Sequence, residues 1–152
     1  MDHEALKTLI HDPLVEYARK QIREHMFQIK RFRQAGPFYL DISGKDRAQP
    51  ICSIKFRVRN EDVHAKREPG AKAERSFALD GIEVEEAFKR QGVFKTILRA
   101  LACSFREEPY CIRAVVFNPI SDEMEQCLDH MGVANRSGTA VVWDSLFDDR
   151  LI

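Results

Sequence analysis

Residues 77–101 read FALDGIEVEEAFKRQGVFKTILRAL, an apolar strand, a short turn and an amphipathic helix in immediate succession. The turn contains Gly92, which lets the backbone approach a ligand closely, and carries the cations Lys89, Arg90 and Lys95. The helix has one apolar face, formed by Val93, Ile97, Leu101 and Phe105. Because the first turn of a helix exposes unpartnered N–H groups and the positive end of the helix dipole, this order of elements predicts a site for phosphate groups.

The strand before this turn changes phase within its length. Phe77 and Leu79 occupy one phase of the alternation, whereas Ile82 and Val84 occupy the other. A slip of one residue turns the core face outward unless an extra residue is absorbed, so the sequence predicts a β-bulge at Asp80 and the glycine that follows it. A bulge leaves backbone groups that can bind an extended, amide-bearing ligand beside the strand.

The rest of the chain supplies further helices and strands. A short helix is predicted at 5–10, and Asp12-Pro13 suits the start of a second helix that ends at Gly36-Pro37. The apolar stripe of the second helix consists of Leu14, Ala18, Ile22, His25, Met26, Ile29 and Phe32. Strands are predicted at 38–42, 51–59, 111–117 and 139–146, a charged surface loop at 60–76 and a helix from 121 to 132.

These elements predict an α+β fold with three layers. A strand, a helix and a strand in this order imply a right-handed β-α-β crossover with parallel strands, whereas the first two strands suit an antiparallel hairpin. We therefore expect a mixed, twisted sheet with a central bulged strand and extra N-terminal helices. We expect one domain over 1–152, with N-terminal helices at 1–36, the sheet and ligand-binding core at 37–147 and a tail at 148–152.

Composition is that of an ordinary globular protein, with 152 residues, 44% apolar and 32% charged. Its four cysteines lie in predicted strands or apolar stripes, so we expect buried, reduced thiols. No apolar run reaches the ~20 residues that cross a bilayer, and no cationic segment with an apolar run opens the chain. We expect a cytoplasmic location and no membrane partner.

Positive charge is concentrated between Arg19 and Arg33, although the formal net charge of the chain is zero. We interpret this basic segment as the solvated face of an amphipathic helix. No interleaving of aromatic residues supports nucleic-acid binding, so nucleic acid is not expected as a partner.

The turn and its flanks resemble the GNAT superfamily of acyl-CoA-dependent N-acyltransferases. The signature of that family is a bulged strand followed by Arg/Gln-x-x-Gly-x-Gly/Ala at the start of a helix, and residues 89–94, KRQGVF, occupy it here. Lys89 replaces the usual Arg or Gln, and Phe94 replaces the usual small residue. The resemblance runs from about Phe38 to Leu146 and implies a GNAT-like fold.

The resemblance also implies acetyl-CoA as co-substrate, without a metal. The backbone from Ile82 to Val84 would bind the pantetheine arm, and residues 91–95 would bind the pyrophosphate. The implied cofactor-binding residues are Ile82, Val84, Lys89, Arg90, Gln91, Gly92, Val93, Phe94, Lys95 and Asn118.

The chemistry implied by the resemblance is direct attack of an amine on the thioester, which requires a base for the amine proton and an acid for the leaving thiolate. The predicted catalytic residues are Glu83 and Asp80, which lie nearest the expected cleft. Many GNAT enzymes carry a tyrosine acid where this chain has Leu128. Cys127 and His130 are the neighbouring alternatives, although Cys127 also suits the core and His130 a helix end.

Three functions follow from these patterns. The expected one is an enzyme, an N-acetyltransferase (acyltransferase) that acetylates an amine of a small molecule or a protein. The alternative is a GNAT-fold protein with little or no turnover that binds a protein partner, and a weaker alternative is a nucleic-acid-binding module that uses the basic segment. The sequence identifies no acceptor and no protein partner, and a homodimer is compatible with it.

Overall fold

The computed structural model describes residues 3–44, 49–61, 74–117, 122–130 and 140–142. The helices are α1 (His3–Glu24), α2 (Met26–Phe32), α3 (Val93–Phe105) and α4 (Asp122–His130), with a 3₁₀ turn at Glu86–Phe88. The strands are β1 (Gln34–Ser43), β2 (Pro50–Glu61), β3 (Glu74–Val84), β4 (Ile112–Phe117) and β5 (Ala140–Val142).

The strands described form one mixed sheet in the order β1-β2-β3-β4-β5. β1 to β3 are antiparallel neighbours, β3 and β4 are parallel, and β5 returns antiparallel to β4. Helix α3 makes the crossover between β3 and β4. The mixed sheet, the parallel pair and the β-α-β crossover are therefore confirmed.

A chain of aromatic rings runs through the core from the sheet to α3. Phe38 on β1 lies 5.5 Å from Phe56 on β2, Phe56 lies 5.9 Å from Phe77 on β3, and Phe77 lies 5.4 Å from Phe105 on α3, as ring centroids. The last two pairs are edge-to-face, the arrangement that the charge distribution of the rings favours. These contacts tie β3 and α3, the two elements that flank the predicted phosphate turn, to the same core.

The N-terminal helices differ from their prediction. α1 is continuous from His3 to Glu24 and contains Pro13, so the predicted break at Asp12-Pro13 was wrong. The apolar face continues through that point because buried residues recur every four positions, at Leu6, Ile10, Leu14, Ala18 and Ile22. Packing of this face outweighs the one backbone hydrogen bond that the proline removes.

The end of the second helix was also predicted wrongly. α2 ends at Phe32, and Arg33 adopts a left-handed conformation with φ 63° that turns the chain into β1. Gly36 therefore lies inside β1, where the pairing with β2 is shifted between Ala35 and Phe38. Phe32 was assigned to the buried stripe, but it is 64% exposed.

The limits of β2 and β3 differ less from those predicted. β2 extends to Glu61 and β3 begins at Glu74, so the connection between them is shorter than the predicted loop 60–76.

All four cysteines are free; Cys52 is buried as expected, but Cys103 is exposed. Asn118 and the tail 148–152 lie outside the described residues. Within the described ranges, no helix has the length and apolar character needed to cross a membrane.

Candidate functional site

The predicted bulge lies in β3. Lys55 pairs with Gly81 and the next residue of β2, Phe56, pairs with Leu79, so Asp80 is the extra residue. The side chain of Asp80 accepts hydrogen bonds from Arg57 on β2, at 2.8 Å from Nε to Oδ2 and 2.9 Å from Nη2 to Oδ1. The bulge prediction is confirmed, and the bulged residue is anchored to its neighbouring strand.

β3 separates from β4 directly before this bulge. The pairing between the two strands ends at Leu79 and Phe117, whereas β3 continues to Val84 alongside β2. The N–H of Glu85 donates to the carbonyl of Ile51 on β2 at 2.9 Å, which fixes the phase of the strand. Because backbone directions alternate along a strand, the N–H and C=O groups of Ile82 and Val84 point away from β2. In the part of the chain that the structure describes, no strand pairs with that edge.

The strand leads through the 3₁₀ turn to a helix start with open N–H groups. Gly92 precedes α3 with φ 79° and ψ 20°, a conformation that glycine adopts readily. The first helical hydrogen bond runs from the N–H of Thr96 to the Gly92 carbonyl at 2.9 Å, so the helix offers no acceptor to the N–H groups of Val93, Phe94 and Lys95. No acidic residue lies in the first turn of α3. This geometry suits an anion.

The side chains of the turn are two cations, Lys89 and Arg90, and the amide of Gln91. Arg90 is exposed, whereas Lys89 is partly buried, with its Nζ 3.1 Å from Glu86 Oε2. Gln91 turns back, since its Nε2 donates to the carbonyl of Ala87 at 2.9 Å. Cations therefore surround the turn, while the Gln91 side chain stabilises the turn itself.

Val93 and Phe94 point into the protein. Both are buried, and the ring of Phe94 lies 6.0 Å from that of Phe117 at the end of β4. Any ligand contact from these two residues is therefore expected through their backbone N–H groups. The Phe94 ring stabilises the helix start against the parallel strand.

A cleft of about 830 Å³ opens beside the ends of β1 and β3. Four predicted site residues line it, namely Ile82, Glu83, Val84 and Lys89, whereas Asp80 is not among its lining residues. Its other lining residues are Asp41, Ile42, Ser43, Pro50, Cys52, Ser53, Glu85 and Asp122. The carboxylates of Asp41 and Asp122 were missed in the sequence, because they come from β1 and α4 and no local pattern joins them to β3.

The thiols near this region are not activated. Burial raises the pKa of Cys52 to about 12, and the Asp41 carboxylate adds to the shift. Burial also raises the pKa of Cys127, and the charge of Lys95 opposes that shift in part. Both thiols are therefore protonated at neutral pH, and neither is a ready nucleophile.

The predicted acid position belongs to the core. Leu128 is 1% exposed and packs in the hydrophobic core, whereas His130 lies exposed in the last turn of α4. Among the described ranges, no group of three or more His, Cys, Asp or Glu side chains is arranged to hold a metal ion.

Comparison with models of known families found no match, and comparison with curated proteins likewise found none. Solved structures do match. AtaT complexed with acetyl-methionyl-tRNAfMet is 10% identical, with a TM-score of 0.50 over 84% of this chain and 81% of that chain. A mutant of KacT is 10% identical, with a TM-score of 0.51 over 86% and 84%. The aminoglycoside 6'-N-acetyltransferase AAC(6')-Ih from Acinetobacter baumannii is 14% identical, with a TM-score of 0.43 over 82% and 78%.

Likeness at this level of identity shows the fold alone, and that fold is the GNAT fold. The strand order, the bulge in β3 and the separation of β3 from β4 are the features on which the site is built. The fold expected from residues 89–94 and the preceding strand is therefore confirmed.

Proposed function

We propose that this protein is an acetyl-CoA-dependent N-acetyltransferase that transfers the acetyl group directly to an amine. The observation that carries the proposal is the continuity of two binding elements. The outward-facing backbone of Ile82 and Val84 lies at the end of β3, and the open N–H groups at the start of α3 begin at Val93, after the 3₁₀ turn. A pantetheine arm and a pyrophosphate are joined in the same order in acetyl-CoA.

The proposed cofactor contacts follow from this geometry. The amides of the pantetheine arm would pair with the backbone of Ile82 and Val84 as an added strand. The pyrophosphate would accept hydrogen bonds from the N–H groups at the start of α3, with Lys89 and Arg90 contributing positive charge. In this proposal Gln91 acts through its backbone, because its side chain is already bonded to Ala87. Asn118, outside the described residues, remains a sequence-based prediction.

The proposed base is Glu83, an exposed carboxylate that lines the cleft. It would take the proton from the attacking amine, directly or through one water, while the nitrogen forms its bond to the thioester carbon and the C–S bond breaks. The thiolate of CoA leaves and is protonated from solvent. Asp80, the other predicted base, would hold the bulge instead, since both of its carboxylate oxygens are bonded to Arg57.

Direct transfer is favoured over a covalent acetyl-enzyme. An acetyl-enzyme requires a nucleophile such as a thiolate, and the thiol that lines the cleft, Cys52, has a pKa of about 12. The carboxylates of Asp41, Glu83 and Asp122 would instead attract an acceptor that carries positive charge. The cleft therefore suits an amine that binds as a cation, releases its first proton to solvent and attacks as the neutral amine, with Glu83 taking the second proton as the new bond forms.

The test is release of CoA from acetyl-CoA in the presence of a panel of amines, namely polyamines, aminoglycosides, lysine-containing peptides and methionyl-tRNA. The last is included because the AtaT structure contains an acetylated methionyl-tRNA. Glu83→Gln should lower kcat with little effect on KM for acetyl-CoA, because the carboxylate acts on the amine. A panel that gives no turnover above the uncatalysed rate would contradict the proposal.

A second function is favoured by one observation. Leu128, where many GNAT enzymes have a tyrosine acid, lies in the core, so the described part of the structure presents no phenol at that position. A protein that binds acetyl-CoA and a protein partner with little turnover fits this observation. Saturable acetyl-CoA binding without turnover on any amine would favour that second function.

A further inference from the structure

Among the described residues, the large hydrophobic side chains that are exposed all lie in one short segment. The three large hydrophobic residues that the structure describes as exposed are Phe27 (73%), Phe32 (64%) and Tyr39 (63%). All three lie between residues 27 and 39, in α2 and the first half of β1. None of them lines the cleft. Among the described residues, this short segment alone exposes large hydrophobic side chains, which favours it as an interaction surface.

The same segment carries only positive charge. Lys30, Arg31 and Arg33 are exposed, and residues 26–40 contain no Asp or Glu. Among the described residues, no carboxylate forms an ion pair with these three cations. We call Phe27, Lys30, Arg31, Phe32 and Arg33 the basic aromatic surface.

The helix geometry places rings beside cations. Ile29 is 1% exposed and defines the inward face of α2. Phe27 lies three and four residues before Lys30 and Arg31, so these three side chains share the opposite, outward face. Phe32 is directly flanked by Arg31 and Arg33. Phe27 therefore shares its helix face with two cations, and Phe32 has an arginine on either side of it in the sequence. The expectation that no aromatic residues interleave with the basic segment was wrong, and with it the reason for not expecting nucleic acid as a partner.

We propose that the basic aromatic surface binds single-stranded RNA. The rings of Phe27 and Phe32 offer flat apolar faces on which unpaired bases stack, and the neighbouring cations contact the phosphates between those bases. Stacking on a protein ring requires a base that is free of its own stack. RNA loops supply such bases regularly, whereas duplex DNA does not.

Two other occupants fit the surface less well. Phe27 and Phe32 are five residues apart, about 140° around the helix at 100° per residue, so they do not form the single apolar stripe with which a helix enters a membrane surface. A second copy of the chain in a two-fold interface would place the same surface against itself. That arrangement would bring Lys30, Arg31 and Arg33 of two copies together without acids to balance them.

The experiment measures fluorescence anisotropy of a labelled, unstructured 20-nucleotide RNA over a series of salt concentrations. Three double variants are compared with the original chain: Phe27→Ala/Phe32→Ala, Lys30→Gln/Arg31→Gln and, as a control, Lys7→Gln/Arg113→Gln. The substituted residues are exposed, apart from Lys7, which is partly exposed and lies 3.5 Å from Glu4 Oε1 in a surface ion pair, so thermal melts should stay close to that of the original chain. The control removes the same charge from α1 and β4.

The two test variants should change RNA binding in different ways. Loss of the rings should weaken binding at least fivefold at every salt concentration, with the salt slope unchanged, because stacking releases no counterions. Loss of the two cations should lower the slope of log K against log salt by about 1.4, since each phosphate contact on a single strand contributes about 0.7. The control variant should bind like the original chain.

Several results would overturn the proposal. RNA affinity that is unaffected by the loss of both rings would remove the stacking role. Binding to single-stranded DNA or duplex DNA of the same length that is tighter than binding to RNA would remove the RNA assignment. Binding to vesicles with anionic lipids in the absence of any RNA binding would assign the surface to membranes. The acetyl-transfer proposal is independent of each of these results.

Discussion

Arg57 and Asp80 form an ion pair with two hydrogen bonds across β2 and β3, 2.8 Å from Nε to Oδ2 and 2.9 Å from Nη2 to Oδ1. Their side chains are 24% and 13% exposed. Arg57 Nη1 also donates to Gln34 Oε1 on β1 at 3.2 Å, so one guanidinium connects three strands. The hydrogen bond to Asp80 raises the pKa of Arg57. Because Asp80 is the bulged residue, this pair orients the backbone that follows it.

Replacement of Arg57 should therefore affect one half of the cofactor site. We expect Arg57→Gln to weaken acetyl-CoA binding about tenfold, because the bulge would no longer hold the backbone of Ile82 and Val84 in position. Binding of 3'-phospho-ADP, which has the pyrophosphate but lacks the pantetheine arm, should change by less than about twofold, since the phosphate turn is intact. Calorimetric titration measures both affinities.

The matched control is Arg19→Gln, on the exposed face of α1. It removes the same charge and should leave both affinities unchanged. Arg57→Lys should recover part of the acetyl-CoA affinity through its remaining charge, without the two-bond geometry. Equal losses for the two ligands in Arg57→Gln would show that the ion pair acts on overall stability and not on the pantetheine strand.

Gly36 on β1 and Gly81 on β3 lie on opposite sides of β2 and should respond differently to alanine. Gly36 has φ +116°, and an added Cβ would lie 3.0 Å from Arg57 Cγ and 3.1 Å from both Arg57 Cα and the Phe56 carbonyl oxygen. At Gly81 the nearest atom to an added Cβ is Lys55 Cβ at 3.9 Å. We expect Gly36→Ala to lower the free energy of unfolding by about 2 kcal/mol. Gly81→Ala should change it by less than about 0.5 kcal/mol, and urea titration compares the two.

Replacement of Phe94 should lower both the free energy of unfolding and the affinity for acetyl-CoA. Its ring is 8% exposed and packs 6.0 Å from Phe117, so it holds the start of α3 against β4. Phe94→Gly should lower the free energy of unfolding by about 4 kcal/mol, from lost packing and from the lower helix propensity of glycine. It should also weaken acetyl-CoA binding, whereas Phe94→Leu should retain most of both. Unchanged stability and unchanged affinity in Phe94→Gly would defeat this role.

The buried thiol of Cys52 predicts a loss of stability in mildly alkaline solution. Its pKa rises from 9.0 to about 12 in the folded protein. Below pH 9 the thiol is protonated in both states, and its contribution to stability is complete. Above pH 9 only the unfolded chain loses the proton, so stability falls as the pH rises towards 12.

The free energy of unfolding should therefore fall by about 1.4 kcal/mol more between pH 8 and pH 10 in the original chain than in Cys52→Ala. Cys103→Ala, which removes an exposed thiol, should retain the pH dependence of the original chain. Urea titrations at the two pH values give the comparison. A pH dependence that is the same with and without Cys52 would mean that its thiol titrates normally in the folded state.

The sequence predicted the elements whose signals are local. The phase slip between Leu79 and Ile82 predicted the bulge, and Gly92 with its flanking cations predicted the helix start, because both are set by neighbouring residues. The break expected at Asp12-Pro13 failed for the opposite reason. There the packing of residues four positions apart along α1 overrides a local signal.

The composition of the site was only partly predictable. Asp41 and Asp122 join Glu83 in the cleft through β1 and α4, and nothing in the sequence near β3 indicates those contacts. The exposure of Phe32 was missed because helical spacing alone cannot tell where a helix ends and a strand begins. In the structure the left-handed turn at Arg33 ends α2 directly after Phe32.

The proposed acetyl-CoA site spans the end of β3 and the start of α3. The first measurement is a calorimetric titration with acetyl-CoA of the original chain and of Gly92→Glu. A glutamate at position 92 places a carboxylate and a strained backbone where the pyrophosphate would lie. We expect saturable binding with one site per chain, and a loss of at least about tenfold in affinity in the variant. The thermal melt of the variant should confirm that it remains folded. No binding to the original chain, or equal binding to a folded Gly92→Glu variant, would contradict the proposed site.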